Sequence, residues 1–584
     1  MIQKRRNTLA LWMLFAVLHC SAQNDQSLVS ASFFGSFEGA SFVESLTFGR
    51  SIIPLPGGQW AIYGLATASD LYTSPDAYQS ANPSTSTTSP FLTIMDAEGL
   101  PLYSSFYAGS GQEFVGGLAA GEEVLCVCGT SSSYDYPISP GAESTADMHE
   151  PGIFKGFVTC LDHGGDLLWS TFLGDSTGSV YPRALQIGPE GSVFVAGSSQ
   201  MSSYGTDGAH QIELPDSMES AAFVARYSAE GELLWRSYYY HEFEGDFGSF
   251  NVRRVEYSPD GSRLYVLGRS IGEVSFGDSP YQSEYGGGPY DSYLAALSAD
   301  DGELLWQTYF GGEGDEFPAD MAVDASGRLY ISGWTSSAMA IATDGAYRTW
   351  RMGNRDNFLA SFSPDGQLLW ATYYGGEGSE GISHIAVSNN VLYMGAGTTS
   401  QTSLTIGSPM YSSGNPYVSK WIISDEGAQP EWSTYLNVGC QMDGMALVGE
   451  GRLAIAGTAI LDINSAPCLS SDFSTTPNAW QPTPGGWSTV WYVIVEDQLL
   501  SAAAAEQEQG WKLYPNPARS HLQLDGPLEA QQPWRIRNML GQVMGSGTLQ
   551  GPGEHLDIST LPAGLYLLEL ESKGAMQALK FVKE

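Results

Sequence analysis

DGELLWQTYFGGEGDEFPADMAVDASGRLYISGWTSS, residues 301–337, returns with small changes as DGQLLWATYYGGEGSEGISHIAVSNNVLYMGAGTTS at residues 365–400. Each copy runs from a turn closing on Gly through an apolar run centred on Trp306 or Trp370. A Gly-rich acidic loop and two short apolar segments follow. The segments are too short for helices, rich in β-branched and aromatic residues, and bounded by Gly, Asp and Ser, so they read as strands.

Outward from this pair, the apolar-plus-Gly run recurs along the chain. Its Trp position falls at Ser30, Tyr103, Trp169, Trp235, Trp306, Trp370 and Trp432, at spacings of 73, 66, 66, 71, 64 and 62 residues. A second marker lies between the copies, clearest as TDGAHQ at 206–211, TDGAYR at 343–348 and TPNAWQ at 476–481. Each unit carries four strand-like segments, here a, b, c and d; in the fifth they are Met321–Val323, Leu329–Ser332, Phe358–Phe362 and Leu368–Tyr374. Four strands per repeat without a helix is the mark of a β-propeller blade. The chain opens with a lone d strand (Leu28–Phe34), and the last unit has a, b and c (Trp491–Val495) but no d. Joining them completes a seventh blade and removes an open sheet edge. The fold class expected is all-β, a seven-bladed propeller closed by its N-terminal strand and followed by a small β-sandwich.

The motif LLWxTYxGG…AVDxxGxLYxxGxTSS…TDGAYQ resembles the bacterial SBBP-type β-propeller repeat family over about residues 28–498. That resemblance implies a fold and an extracellular setting, and no agreed chemistry. Ser30 in the first copy, and Asn437 with Cys440 in the seventh, depart from it.

Residues 499–510 are small and polar and read as a linker. Beyond them, 511–584 alternates short strands with Pro/Gly turns, the pattern of a β-sandwich of about 75 residues. Its YPNP, LGQVM, LPAGLYLLEL and KFVK elements resemble the C-terminal sorting domain (type A) of the type IX secretion system. Tyr514, Pro515, Asn516, Pro517, Gly541, Gly564, Tyr566 and Lys583 carry the match. The resemblance implies the type IX machinery as a partner and a destination that is secreted or on the outer cell surface. Lys4, Arg5 and Arg6 ahead of the apolar run Leu9–Leu18 read as a signal peptide over 1–22, with cleavage after Ala22. Cys20 raises a lipoprotein alternative, against which His19 stands in place of a small residue. No later segment has the apolar length of a membrane helix.

The formal charge is −39, concentrated in residues 23–510, where 57 acidic residues face 15 basic ones. Such a surface repels nucleic acid and anionic membranes. Propeller geometry sends the b–c and d–a loops to one face, and long variable loops on a rigid scaffold are where binding resides. The b–c loops offer Tyr281, Tyr285, Trp350, Tyr411, Trp480 and Trp487 as candidate ligand-stacking rings for a glycan or protein. The d–a loops offer Glu313, Asp315 and Glu316, which read as solvated or backbone-capping acids or as calcium ligands. No cofactor other than calcium is indicated.

GDSTG at 174–178 fits G-x-S-x-G but lies where GGEGD stands elsewhere, without the strand-to-helix turn that a nucleophile needs. A non-catalytic binding module is therefore the reading; the alternative is a polysaccharide-degrading glycosidase or lyase with carboxylates in the channel. Cys126, Cys128 and Cys160 fall on strands b and c of the second blade, where Cys126 and Cys128, as alternate residues on one face, read as buried thiols. Cys440 and Cys468, on loops of the seventh that share a face, are a candidate disulfide.

Overall fold

The computed structural model describes residues 26–37; 51–436 apart from 67–70, 85–88, 141–152, 176, 244–245, 272–274 and 277; 441–497 apart from 450, 461–484 and 487; and 512–583 apart from 515–517, 526–531, 539–542, 550–554, 563 and 573–574. Among them are strands and two three-residue 3-10 turns. The signal-peptide reading, the linker, Cys20, Cys440, Cys468, Trp480, Trp487, Pro515, Asn516, Pro517 and Gly541 lie outside the described residues. The chain divides into two compact units, one spanning nearly all of Leu28–Val495 and one built mainly of Glu496–Glu584.

The first unit is a propeller-like succession of antiparallel sheets. The fifth sheet shows the plan: Glu316–Val323, Leu329–Thr335, Asp356–Phe362 and Leu368–Tyr374, hydrogen-bonded in sequence order. Strands a to d of the repeat correspond to these four. The first sheet begins at Ile52–Pro54, the second at Glu113–Ala120, the third at Val180–Ile187, the fourth (behind a short strand, His241–Phe243) at Asp246–Tyr257, and the sixth at Glu380–Ser388. The a strands of neighbouring sheets approach one another, so they are innermost. In the last sheet, Gln441–Gly449, Arg452–Ile460 and Ser488–Asp497 are followed in space by Gln26–Phe37. The chain's first described strand thus takes the d position beside the c strand, as the missing segments demanded. Residues of the first and last sheets share one apolar cluster, Ile52, Trp60, Ala446, Val448, Tyr492 and Ile494 among them.

The repeated Trp has a physical task between sheets. Trp169 Nε1 donates to the Ala229 carbonyl at 2.8 Å, Trp235 to Ala299 at 3.2 Å, Trp306 to Pro364 at 3.0 Å and Trp370 to Ser424 at 3.1 Å. Every acceptor sits at the c–d turn of the following sheet. Tyr103 does the same with its hydroxyl on Gly165 O, at 3.2 Å. Where the repeat has Ser30, the hydroxyl of Tyr492 reaches the first sheet's turn at Gly99 O, 2.5 Å away. Trp432 is buried at 1 % exposure and its Nε1 has no hydrogen-bond partner among the described residues. The last sheet has no c–d hairpin to offer it, because its d strand comes from the other end of the chain.

Two expectations change. The b–c loops do not simply project from a face: the second marker lies along the outer edge of strand d. Ser74 N bonds to Ser104 O, Thr206 N to Arg236 O, Thr343 N to Ala371 O and Ile406 N to Ser433 O, at 2.8–3.0 Å. This lining occupies backbone groups that an edge strand otherwise leaves open. Cys126 and Cys160 are not thiols; they face each other across strands b and c of the second sheet and form a disulfide. Cys128, two residues along, stays a buried thiol.

In the second unit, Lys512–Tyr514, His521–Asp525 and His555–Asp557 make one sheet. Val543–Leu549, Gln532–Asn538, Gly564–Ser572 and Ala575–Lys583 make the other. They bury Leu522, Leu524, Ile536, Leu556, Leu568 and Phe581 in one core. Tyr566 is buried there, stacks on Phe581 at 5.6 Å and donates its hydroxyl to Pro562 O at 2.9 Å. Gly564 pairs with Lys583 across the last two strands.

Candidate binding face

Two polar systems lie at the end of the sheets where strand b finishes and strands a and c begin. The first is structural. Glu316 opens strand a of the fifth sheet and is fully buried. It accepts hydrogen bonds from Thr335 Oγ1 at 2.5 Å, Ser337 Oγ at 2.7 Å and Gly312 N at 2.8 Å. Glu380 repeats this with Thr398 and Ser400 at 2.9 and 2.7 Å, and Glu113 with Ser131 at 3.0 Å and with Ser133. The GxTSS of the repeat is the cradle for the acid of the GGEGDE loop, which explains why the two motifs travel together.

Each of two such glutamates also faces a carboxylate from the preceding sheet. A Cβ on Gly311 would collide with the Asp291 carboxylate and lie 2.7 Å from Glu316 Oε2; one on Gly375 would collide with Asp356 and lie 2.6 Å from Glu380 Oε2. The double Gly is needed because the turn passes directly over paired acids. Burial, and next the adjacent Glu316, push the Asp291 carboxyl up to about 8 despite the Gly286 N–H that favours its ionised form. Burial lifts Glu380 to about 7 against the pull of its Ser400 and Thr398 donors. Buried carboxylates this close disfavour ionising together, which keeps their protonated forms to higher pH.

The second system is a run of arginines and aromatic rings across the fourth and fifth sheets. Arg253 sits at a bulge in the innermost strand, between Val252 and Arg254 in the register, and Arg183 occupies the matching bulge of the third sheet. Bulges of this kind re-aim side chains next to sites. The Arg253 guanidinium lies 4.3 Å from the Phe317 ring centre, and Phe317 stacks on Trp334 at 5.3 Å with planes 2° apart. Arg355 lies 4.7 Å from Trp334, and Arg269 lies 3.9 Å from Tyr290 and 5.5 Å from Phe317. Burial first, then Arg269, Arg183 and Arg254, push the Arg253 guanidinium down to about 9. Arg254 is neutralised by Asp320 at 2.8 Å, whose other oxygen is 3.9 Å from His384 Nδ1.

Of the rings expected to bind, Tyr281 packs on Phe310 and Phe362, and Tyr285 stands edge-on to Tyr309 with its hydroxyl on Gly288 O at 3.0 Å. Tyr411 lies in the segment along strand d of the sixth sheet, its amide on Thr434 Oγ1 at 3.1 Å. Trp350 is 58 % exposed. These four are spread over three sheets and do not converge. Glu313, Asp315 and Glu316 also diverge: Glu313 Oε1 accepts from Ala338 N at 2.8 Å, Glu316 is buried in its cradle, and Asp315 holds Ser336 through its backbone at 2.7 Å. No group of three or more His, Cys, Asp or Glu among the described residues is placed to hold a metal ion.

Sequence reading missed Arg253, Arg269, Tyr290, Phe317, Trp334 and Arg355. The one available signal was the scarcity of basic residues in so acidic a chain, with several of them at strand ends.

Residues 512–584 match the model of the secretion system C-terminal sorting domain. That match implies export and an interaction with the secretion machinery. No curated protein matches the chain. Among solved structures, a PL25 ulvan lyase bound to a GlcA–Rha3S saccharide aligns at 10 % identity and TM-score 0.37, covering 74 % of this chain and 93 % of its own. A quinohemoprotein alcohol dehydrogenase from Comamonas testosteroni aligns at 10 % and 0.35, covering 80 % and 76 %. A fungal AA5 alcohol oxidase in complex with copper aligns at 9 % and 0.38, covering 96 % and 100 %. At these scores the likenesses carry no argument about activity. No helix among the described residues is long and apolar enough to cross a membrane.

Proposed function

We propose that the chain is a secreted or cell-surface binding module. In this reading residues 23–498 are a seven-bladed propeller of the SBBP repeat type, 499–510 a linker and 511–584 the sorting domain. Residues 1–22 are removed as a signal peptide, and the tail directs export by the type IX system. The propeller recognises a glycan or a protein at the end of the sheets where the b–c and d–a connections emerge, without chemistry of its own. The observation that carries this is the Arg253–Phe317–Trp334–Arg355 run at that end. Stacked rings flanked by guanidinium groups suit a ligand with flat apolar faces and polar edges. Trp350 is the most exposed of the described rings in the first candidate set.

A second reading, polysaccharide cleavage, is favoured by Asp320, which lies between Arg254 and His384 on the innermost strands. A glycan array probed with the exported protein, with and without calcium, separates the two readings when paired with a turnover assay. Binding without product release supports the module. Product release abolished by Asp320→Asn supports the enzyme, and silence on every glycan removes carbohydrate from the proposal. Loss of binding when calcium is removed would show that recognition requires the ion.

A further inference from the structure

Five described basic side chains of the propeller unit are paired with carboxylates: Arg226 with Asp300, Arg254 with Asp320, Arg263 with Asp365, Arg328 with Asp425, and Lys420 with Glu431. In a chain of net charge −39, acids to pair with are plentiful. Among the described residues Arg269 and Arg355 form no ion pair, and Arg269 Nε is shielded from water without a hydrogen-bond partner. Both guanidinium groups are instead held on aromatic faces, Arg269 on Tyr290 and Arg355 on Trp334. Arg355 and Tyr290 are exposed, while Trp334, Phe317 and Arg269 are half-buried. Between the two cations lies the parallel Phe317–Trp334 stack. In the sixth sheet, the position matching Phe317 is Gly381, and a Cβ there would meet only the Gly397 backbone at 3.3 Å or more. The stack therefore ends at Trp334 beside a position without side-chain bulk.

We propose that Arg269, Tyr290, Phe317, Trp334 and Arg355 form a site for an acidic saccharide, one bearing carboxylate or sulfate groups on pyranose rings. This rests on the binding-module reading and names its ligand class. A guanidinium fork takes a carboxylate or sulfate through two parallel N–H bonds, and pinning on a ring lowers the ordering cost of that geometry. Ring faces and edges meet the C–H surfaces of the sugar. Charges farther away are screened over a Debye length of about 8 Å at physiological salt, so the local cations govern a short ligand. The acidic remainder of the chain repels a long, densely charged polymer. The occupant is accordingly a short oligosaccharide or chain end, and not a long polyanion.

The test is titration calorimetry of the exported protein with oligogalacturonate, a sulfated chondroitin oligosaccharide, neutral malto-oligosaccharide and a short oligonucleotide. The expectation is binding of one or both acidic sugars, weakened roughly 10-fold or more by Arg355→Ala and by Arg269→Ala. Arg355→Lys, keeping the charge without the fork, falls between. Arg328→Ala, at an ion pair elsewhere, leaves affinity unchanged, and the thermal midpoint of each variant reports its folding. The two acidic arms tell carboxylate from sulfate recognition. Neutral sugar bound as tightly as acidic sugar, preference for the oligonucleotide, or indifference to both arginine variants overturns this inference while the binding-module reading stands. No binding to any saccharide overturns this inference and leaves the binding-module reading with a protein ligand only.

Discussion

Trp306 and Trp432 occupy the same position of the repeat, yet their indole N–H groups meet different fates. The Trp306 indole bonds to the Pro364 carbonyl at 3.0 Å, and the Trp432 indole N–H has no hydrogen-bond partner among the described residues. A buried hydrogen bond contributes about 1 kcal/mol net, whereas an unsatisfied donor costs about 1–3 kcal/mol. Trp306→Phe should therefore destabilise by roughly 1 kcal/mol plus its lost ring area, and Trp432→Phe by clearly less. Urea denaturation of the two variants measures the contrast; equal losses would show that the indole bond plays no part in joining sheets. The repeat showed that a Trp belongs at this position. It did not show which copy lacks an acceptor, because the acceptor is carried by the next sheet.

At the scale of elements, the N-terminal strand Gln26–Phe37 is the outer member of the last sheet. Deleting residues 28–35 should expose the Ser488–Asp497 edge and cause aggregation, read by size-exclusion chromatography. A soluble monomer of unchanged thermal midpoint would refute the role given to this strand. The Cys126–Cys160 disulfide spans 34 residues between adjacent strands. Replacing both cysteines with Ala should lower stability by about 4 kcal/mol on the chain-entropy account, with Cys128→Ala as the comparison. Strand positions were legible because alternation and turn residues are local signals. The pairing of Cys126 with Cys160, and the folding of the TDGAYR-type segments along strand d, depend on register between segments far apart in sequence.

For the whole molecule, pH separates the buried carboxylate pairs from the general surface charge. Asp291 ionises near 3.8 when unfolded and near 8 when folded, so the native state holds an extra proton between those values. Stability is then fullest below the lower value and declines as pH rises through the higher one. Glu380, raised from 4.5 to about 7, acts in the same direction. Unfolding free energies measured from about pH 5 to pH 9 should fall, and Asp291→Asn or Glu380→Gln should flatten that fall. An unchanged slope in both variants would exclude the pairs as its source. Export is tested separately: removing 512–584 should leave the protein inside the cell envelope, as fractionation would reveal.

What the sequence determined by itself is the periodic part: the strands, the incomplete first and last units that complement each other, and the sorting tail with its ordered motifs. These are legible because each depends on residues close together or on a spacing that repeats. The tertiary structure alone decided which side chains meet across sheets. Arg253, Arg269, Phe317 and Trp334 come from separate strands of two neighbouring sheets, and Arg355 immediately precedes another. The sheet packing that brings them together follows from the buried cores between neighbours and leaves no periodic trace in those polar residues. The same holds for Asp291 and Glu316: one opens the way into a c strand, the other begins the next sheet, and only the turn at Gly311 sets them face to face.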